Sequence, residues 1–320
     1  IYDGQYGISV LRGGALILEN SEILSSRAEV NYYIKFFHGS IFEMSNSSIM
    51  YAGYSWGRDG DLSGLWIYSS EFRIVDSTIL GCWAGVFAYN STGYISGLSI
   101  SDCFYGVVSY YSENITIEDT EGISLLYGVY VVGSTDVVLR NTNISDAIYG
   151  IYCRGSRDIV IDDCSLGNNT YNVFVFSCHN VEMGNVYADG DFFGIIVHGS
   201  ENVTIYSSQA TNNNVSGVLV HSTRDIKLRS LVAEGNMYGV LLLGSNNVSI
   251  SSVRIDNSVV CGLYIRHSWD VSIRFLVARY NGDDGLAIYG SHGIDMLGLL
   301  FVGNGRDAFI GVSYNISIYN

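Results

Sequence analysis

A glycine followed by apolar residues recurs through most of the chain at almost constant spacing, and no other feature restricts the fold as much. Aligned on this position, the residues are Gly64, Gly85, Gly106, Gly128, Gly150, Asn172, Gly194, Gly217, Gly239, Gly262, Gly285 and Ala308. Successive intervals run 21, 21, 22, 22, 22, 22, 23, 22, 23, 23 and 23 residues. A fixed period of this length marks a solenoid in which each repeat buries its apolar face only against its neighbours. With that residue as position 0, positions +1 and +3 are apolar or small, as in Val129 and Val131 or Ile195 and Val197. Position +8 is Asn or Asp in eight consecutive repeats, from Asn114 to Asp270. Positions +9 and +11 are apolar again, as in Val203 and Ile205, and a third pair follows near +14 and +16, as in Val253 and Ile255.

Each repeat therefore holds three short segments of period two, separated by turns rich in Gly, Ser, Asn and Asp. None is long enough at helical spacing to form a crossover helix. Three strands in about 22 residues close only by coiling, each strand pairing with its equivalent one turn away. Asn and Asp at +8 suit the bend, because both tolerate left-handed backbone. The chain has no proline, which agrees with interior strands that must all donate their N–H groups.

The recurring "GV-x-V-x-x-S-x-N-V-x-I" resembles the right-handed parallel β-helix repeat of pectin lyase-like and NosD-type proteins. The expectation is an all-β, single-stranded parallel β-helix of about 14 coils with three short strands per coil. It forms one domain over 1–320, with irregular coils in 1–63 and regular ones in 64–320. The resemblance implies right-handedness. It does not select an activity, since lyases, hydrolases, epimerases, phage spikes and adhesins share the architecture. Family members cover their terminal coils; no amphipathic helix precedes Gly7, so caps are expected from outside this sequence or from another copy.

Outward positions of the first strand pose the functional question. They read Phe87 and Tyr89, Tyr110, Tyr130, Tyr152, Phe174 and Phe176, Leu241 and Leu243, Tyr264 and Tyr289, with Tyr105, Tyr127, Tyr149, Tyr171, Phe193 and Tyr238 at position −1. The second strand's outward residues are far more polar, so one wall is aromatic and another solvated. An apolar strip of this extent exceeds what soluble monomers leave bare. The 22-residue spacing leaves no loop long enough to cover it. A partner or second copy, a polysaccharide stacked on the rings, or ladder stacking among the aromatics themselves would each account for it.

A net charge of −15 with only two lysines, Lys35 and Lys227, excludes nucleic acid as a partner. No stretch of 18 apolar residues marks a transmembrane segment. Nine asparagines lie in N-x-S/T sequons: Asn46, Asn90, Asn114, Asn143, Asn168, Asn202, Asn214, Asn247 and Asn315. Composition alone would supply about four, so the excess points to a secreted or cell-surface glycoprotein, although the repeat itself places some of them.

Candidates for chemistry are few. Asp283 and Asp284 resemble the adjacent aspartates of polygalacturonases, but that family's Gly-His-Gly and Arg-x-Lys motifs are absent. A mannuronan epimerase would carry Asp-Pro-His, which a chain without proline lacks. Asp189 and Asp191, like Asp283 with Asp284 and Asp59 with Asp61, fall in turns, where Asp is common for conformational reasons; no cofactor is expected, and calcium is the one ion such clustered oxygens would suit, without an EF-hand spacing to hold it. His198 and His221 share the +4 column in adjacent coils and suit a metal or acid–base site, or equally two polar members of an interface. A NosD-type copper role would call for Met, His or Cys clusters, and the five Met are scattered. Cys82 and Cys103 both sit at −3 of successive coils, a placement compatible with a disulfide. Cys153 and Cys164 point inward, while Cys178 and Cys261 have no evident partner. The reading is a structural or adhesive exterior protein that assembles with itself or with another surface protein, with a polysaccharide lyase, hydrolase or carbohydrate-binding β-helix as the alternative.

Overall fold

The computed structural model describes residues 6–24, 32–53 and 64–319, and it divides into two compact units, Ile1–Arg157 and Asp158–Asn320. Every element among the described residues is a strand. In the first unit seven strands form one wall: Tyr6–Val10, Tyr32–Phe36, Gly64–Tyr68, Ala84–Tyr89, Tyr105–Tyr110, Tyr127–Val132 and Tyr149–Arg154. Each pairs in parallel with the next, with Val107 opposite Val129 and Val129 opposite Ile151. The second unit repeats this with Tyr171–Phe176, Phe193–His198, Ser216–His221, Tyr238–Leu243, Cys261–Arg266, Asp284–Tyr289 and Arg306–Gly311. Second and third strands stack likewise, as Glu113–Glu118 does on Thr135–Arg140 and Glu121–Ile123 on Asn143–Ser145. This is the parallel β-helix expected from the repeat.

The glycine column has a steric cause. A Cβ on Gly106 would lie 2.3 Å from the carbonyl oxygen of Gly128 in the next coil, and one on Gly262 would lie 2.5 Å from that of Gly285. Backbone cannot yield at such distances, so the close approach of adjacent coils admits little else. The register corrects one alignment: Leu286 faces Ala308, so Asp307, not Ala308, occupies the glycine position of the last coil.

Corners are set by left-handed residues. All eight Asn or Asp at +8, from Asn114 to Asp270, have φ between 51° and 58°. Inside, Val129, Val131, Val137 and Leu139 are buried in the first unit, and Ile195, Val197, Val203 and Ile205 in the second. Polar residues join them as ladders. The N–H groups of Ser70, Ser91, Ser112 and Ser134 each donate to the hydroxyl of the serine one coil on, Ser91, Ser112, Ser134 and Ser156, at 3.1–3.2 Å. The Ser112 hydroxyl in turn donates to Tyr110 O, as the Ser134 hydroxyl does to Val132 O. Cys178 occupies this ladder in the second unit: its N–H donates to Ser200 and its thiol to Phe176 O. Another interior ladder joins asparagines, with Asn213 N and Nδ2 both donating to Asn236 Oδ1, and Asn281 likewise to Asn304. Every buried donor so used avoids the cost of an unmade bond.

The expected Cys82–Cys103 disulfide is not present. Both are free thiols, placed one coil apart at the corner where the second unit carries its asparagine ladder. The Cys82 N–H donates to the Cys103 sulfur at 3.3 Å, and each thiol donates to a carbonyl two residues back, Leu80 and Ser101. They act as ladder members, as serine would. The hydrogen bond to Cys103 and burial hold the Cys82 thiol well above its ordinary range.

Two glycines separate the conformational from the steric requirement. Gly155 has φ +56° with open space around its missing Cβ, whereas Gly106 has the 2.3 Å backbone conflict. Gly155→Ala is expected to cost about 1–2 kcal/mol, the left-handed penalty, and Gly106→Ala about 3 kcal/mol, the upper end of overpacking costs. Denaturant midpoints of the two variants check this, and equal losses would refute the steric account of the column.

Candidate functional site

The aromatic wall is present, but its rings are engaged with one another rather than left bare. In the first unit Tyr105, Tyr127 and Tyr149 form one column at position −1, and Tyr130 and Tyr152 form the next. Centroids of Tyr105 and Tyr127 lie 5.2 Å apart and those of Tyr127 and Tyr149 4.9 Å, with planes 13° and 5° from parallel. Tyr130 and Tyr152 stack at 5.3 Å, and Tyr127 reaches Tyr130 at 4.8 Å. All five are half-buried. Phe87 and Tyr89 both stack on Tyr110, at 6.3 Å and 5.9 Å. Strand pairing places equivalent residues one strand spacing apart, close to the distance at which rings stack.

The second unit continues the pattern with different residues. Tyr171 stacks on Phe193 at 5.5 Å, and Phe174 meets Phe176 edge-on at 6.2 Å. Phe176 stacks on His198, which meets His221 edge-on at 4.7 Å. Leu241 pairs with Leu219 and Tyr264, and Leu243 with His221 and Arg266; both leucines are half-buried. Tyr238 meets Tyr264 edge-on at 6.1 Å, while Tyr289 is 41% exposed. Outward Val108 and Ile196 are only 1% and 5% exposed. The expected bare strip is thus largely self-covered.

Sequence reasoning missed a further aromatic run. Trp66 stacks on Trp83 at 6.0 Å and packs against Phe87 at 4.2 Å, and Trp83 stacks on Phe104 at 5.9 Å. The signal was available, since Trp83 and Phe104 are 21 residues apart and fall at the same repeat position. Trp83 and Phe104 also line an open groove of about 550 Å³ with Leu126, Ile148, Asp102 and Asp146.

The candidate acid–base residues do not assemble. Asp284 receives Nε and Nη2 of Arg306, the latter at 3.0 Å, whereas Asp283 is exposed. Both oxygens of this carboxylate are thereby occupied by the guanidinium. Arg306 also lies over Phe309, at 4.3 Å from the ring centroid. Cys261 is buried, and burial followed by the nearby Asp284 pushes its thiol up to about 12. Burial and then His221 lower the pKa of His198, which favours a neutral ring on an apolar wall. Asp189 is half-buried and its Oδ1 accepts from Thr211 and Asn212, while Asp191 is buried in the interior ladder column. The pair is therefore split between exterior and interior. No group of three or more His, Cys, Asp and Glu residues suited to a metal occurs among the described residues. Asp59 and Asp61 lie outside the described residues. All nine sequon asparagines are exposed.

Two family comparisons agree with this geometry. The family described as the right handed beta helix region matches residues 84–231, and that described as periplasmic copper-binding protein (NosD) matches residues 194–320. Together with the parallel coils, these two matches support a right-handed parallel β-helix repeat family. No curated protein matches it. Among solved structures, the periplasmic alginate epimerase AlgG is similar over 98% of this chain and 85% of its own, with 16% identity and a TM-score of 0.64. The A-module of the Azotobacter vinelandii mannuronan C-5 epimerase AlgE6 is similar over 99% and 91%, with 13% identity and a TM-score of 0.61. At these identities the likeness shows the fold alone.

The tyrosine stack has a measurable signature. Burial, then Tyr149, Tyr105, Tyr130 and Tyr152 in turn, push Tyr127 up to about 12. An unfolded tyrosine ionises near pH 10, so the folded state holds this proton more tightly. The resulting stability is complete below pH ~10 and is lost as pH rises through about 12. Unfolding midpoints across this window should fall more steeply for the wild type than for Tyr127→Phe. Parallel curves, or native phenol absorbance titrating wholly near pH ~10, would contradict the stacking account.

Proposed function

We propose that the protein is a structural or adhesive β-helix of the cell exterior, one that assembles with itself or a surface partner through its aromatic wall. The carrying observation is the parallel stack of Tyr105, Tyr127 and Tyr149. Rings stacked along a column direct their faces at one another and leave edges and hydroxyls for solvent or a partner. Sugar binding by stacking needs an open ring face, which the columns do not offer. Edges bearing hydroxyls suit the mixed apolar and hydrogen-bonding contact of a protein interface, where tyrosine is favoured.

An exterior location is supported by nine exposed sequon asparagines, which make N-glycosylation of Asn46, Asn90, Asn114, Asn143, Asn168, Asn202, Asn214, Asn247 and Asn315 part of the proposal. One matching family is that of a periplasmic protein, and the similar alginate epimerase AlgG is periplasmic, which supports a place outside the cytoplasm. Copper binding draws no support from the described residues, which bring no ligand cluster together.

The second reading, a polysaccharide-active enzyme, is favoured by one observation: alginate epimerases share the fold over nearly the whole chain. Against it stand the missing Asp-Pro-His segment, the Arg306 clamp on Asp284 and the scattered acids. Incubation with mannuronate, guluronate and galacturonate polymers, followed by NMR for epimerised residues and absorbance for unsaturated ends, decides between the two. No turnover is expected, together with concentration-dependent assemblies by electron microscopy. Product formation abolished by Asp283→Ala or His221→Ala would overturn the structural reading.

A further inference from the structure

The tyrosine cluster of the first unit has a chemical capacity that packing alone does not use. Tyr127 is its hub, with ring centroids of Tyr130, Tyr149, Tyr105 and Tyr152 at 4.8, 4.9, 5.2 and 6.1 Å. Tyr149 and Tyr152 are 5.2 Å apart, and Tyr130 and Tyr152 5.3 Å. We propose that this cluster is an oxidative modification site, in which a one-electron oxidant joins Tyr127 to Tyr149 as a dityrosine that bridges adjacent coils.

Three observations carry the assignment. The five rings are half-buried, so an oxidant reaches them from solvent while the ring planes stay fixed. Their mutual contacts let an electron vacancy formed on any ring migrate to its neighbours, so a second oxidation event brings two radicals together within one cluster. Among these five rings, Tyr127 and Tyr149 are the most nearly parallel pair, at 5°. In that arrangement the π lobes on the ring carbons point from one ring to the other, the direction in which a carbon–carbon bond forms. Tyr130 is slightly closer to Tyr127 but tilted by 24°. The interior thiol next in sequence to Tyr152, Cys153, is fully buried on the opposite face of its strand, so the sheet separates it from the wall.

Each phenol gives one electron to the oxidant and its hydroxyl proton to water, leaving a phenoxyl radical with spin on the ortho carbons. The two radicals form one ortho–ortho carbon–carbon bond. Each coupled carbon then loses its hydrogen as a proton and the hydroxyls are regained, restoring aromaticity. In total two tyrosines lose two electrons and two protons, and the oxidant gains the two electrons.

The test is brief visible-light oxidation of the dilute intact protein with tris(bipyridine)ruthenium and persulfate, followed by proteolysis and mass spectrometry of the cross-linked peptides. The expected result is dityrosine fluorescence from unassembled chains and a dominant intrachain Tyr127–Tyr149 peptide pair. Tyr149→Phe keeps the stack but removes one phenol, so this product should be lost while the protein stays folded by circular dichroism. Oxidation in denaturant should abolish the preference. Dominance of any other pair, cross-links centred on exposed Tyr111, Tyr187 or Tyr280, products formed only between chains, or an undiminished yield in Tyr149→Phe would each overturn the proposal.

Discussion

Adjacent coils lie one strand spacing apart, about 4.8 Å, and most of the remaining structure follows from that distance. A residue in a coil meets its own equivalent above and below before it meets anything else. At the glycine column the approach is closer still, with a neighbouring carbonyl where a Cβ would stand, as at Gly106. At the corners it requires left-handed residues that can turn the chain without lengthening the coil. Inside, it aligns serine hydroxyls and asparagine amides so that each satisfies the N–H of the coil before it. On the outer wall, the same spacing turns a column of tyrosines into a stack.

This explains why the architecture was legible and the surface was not. The repeat, the left-handed Asn and Asp at +8 and the inward apolar pairs are properties of single positions, and the sequence displays them directly. Interior ladders are properties of columns. Cys82 and Cys103 matched a disulfide by spacing, yet the structure uses them as hydrogen-bonding rungs, because the Cys103 sulfur sits beneath the Cys82 amide. Cys178 lacked a partner in sequence because its role was that of the serines at Ser156 and Ser200. The last coil was misaligned by one residue because Ala308 looked more like glycine than Asp307 did. Only the register with Leu286 and Ile288 separates them.

The aromatic wall shows the same limit from the other side. Outward apolar residues imply a bare surface only if their neighbours are ignored. Val108 and Ile196 face outward and are nonetheless buried, and Tyr127 has four aromatic neighbours of its own kind. Stacking converts an apparent sugar platform into a surface of ring edges and hydroxyls. Away from the stacked rings, Asp284 is paired with Arg306, and Asp189 and Asp191 are split between exterior and interior. What the first unit presents along this wall is a tyrosine-edged face.

Ladders join each coil to the next, and Ser134 tests their contribution most directly. Its hydroxyl accepts the Ser112 N–H at 3.1 Å and donates toward the carbonyls of Ser109 and Val132. In Ser134→Ala, native-state hydrogen exchange at the Ser112 amide should lose protection by about 1–3 kcal/mol, the cost of a buried donor left unpaired. Amides in the strand Tyr105–Tyr110 should weaken with it. Unchanged exchange at Ser112 would show that the strands alone hold the coils together and that the interior ladder is incidental.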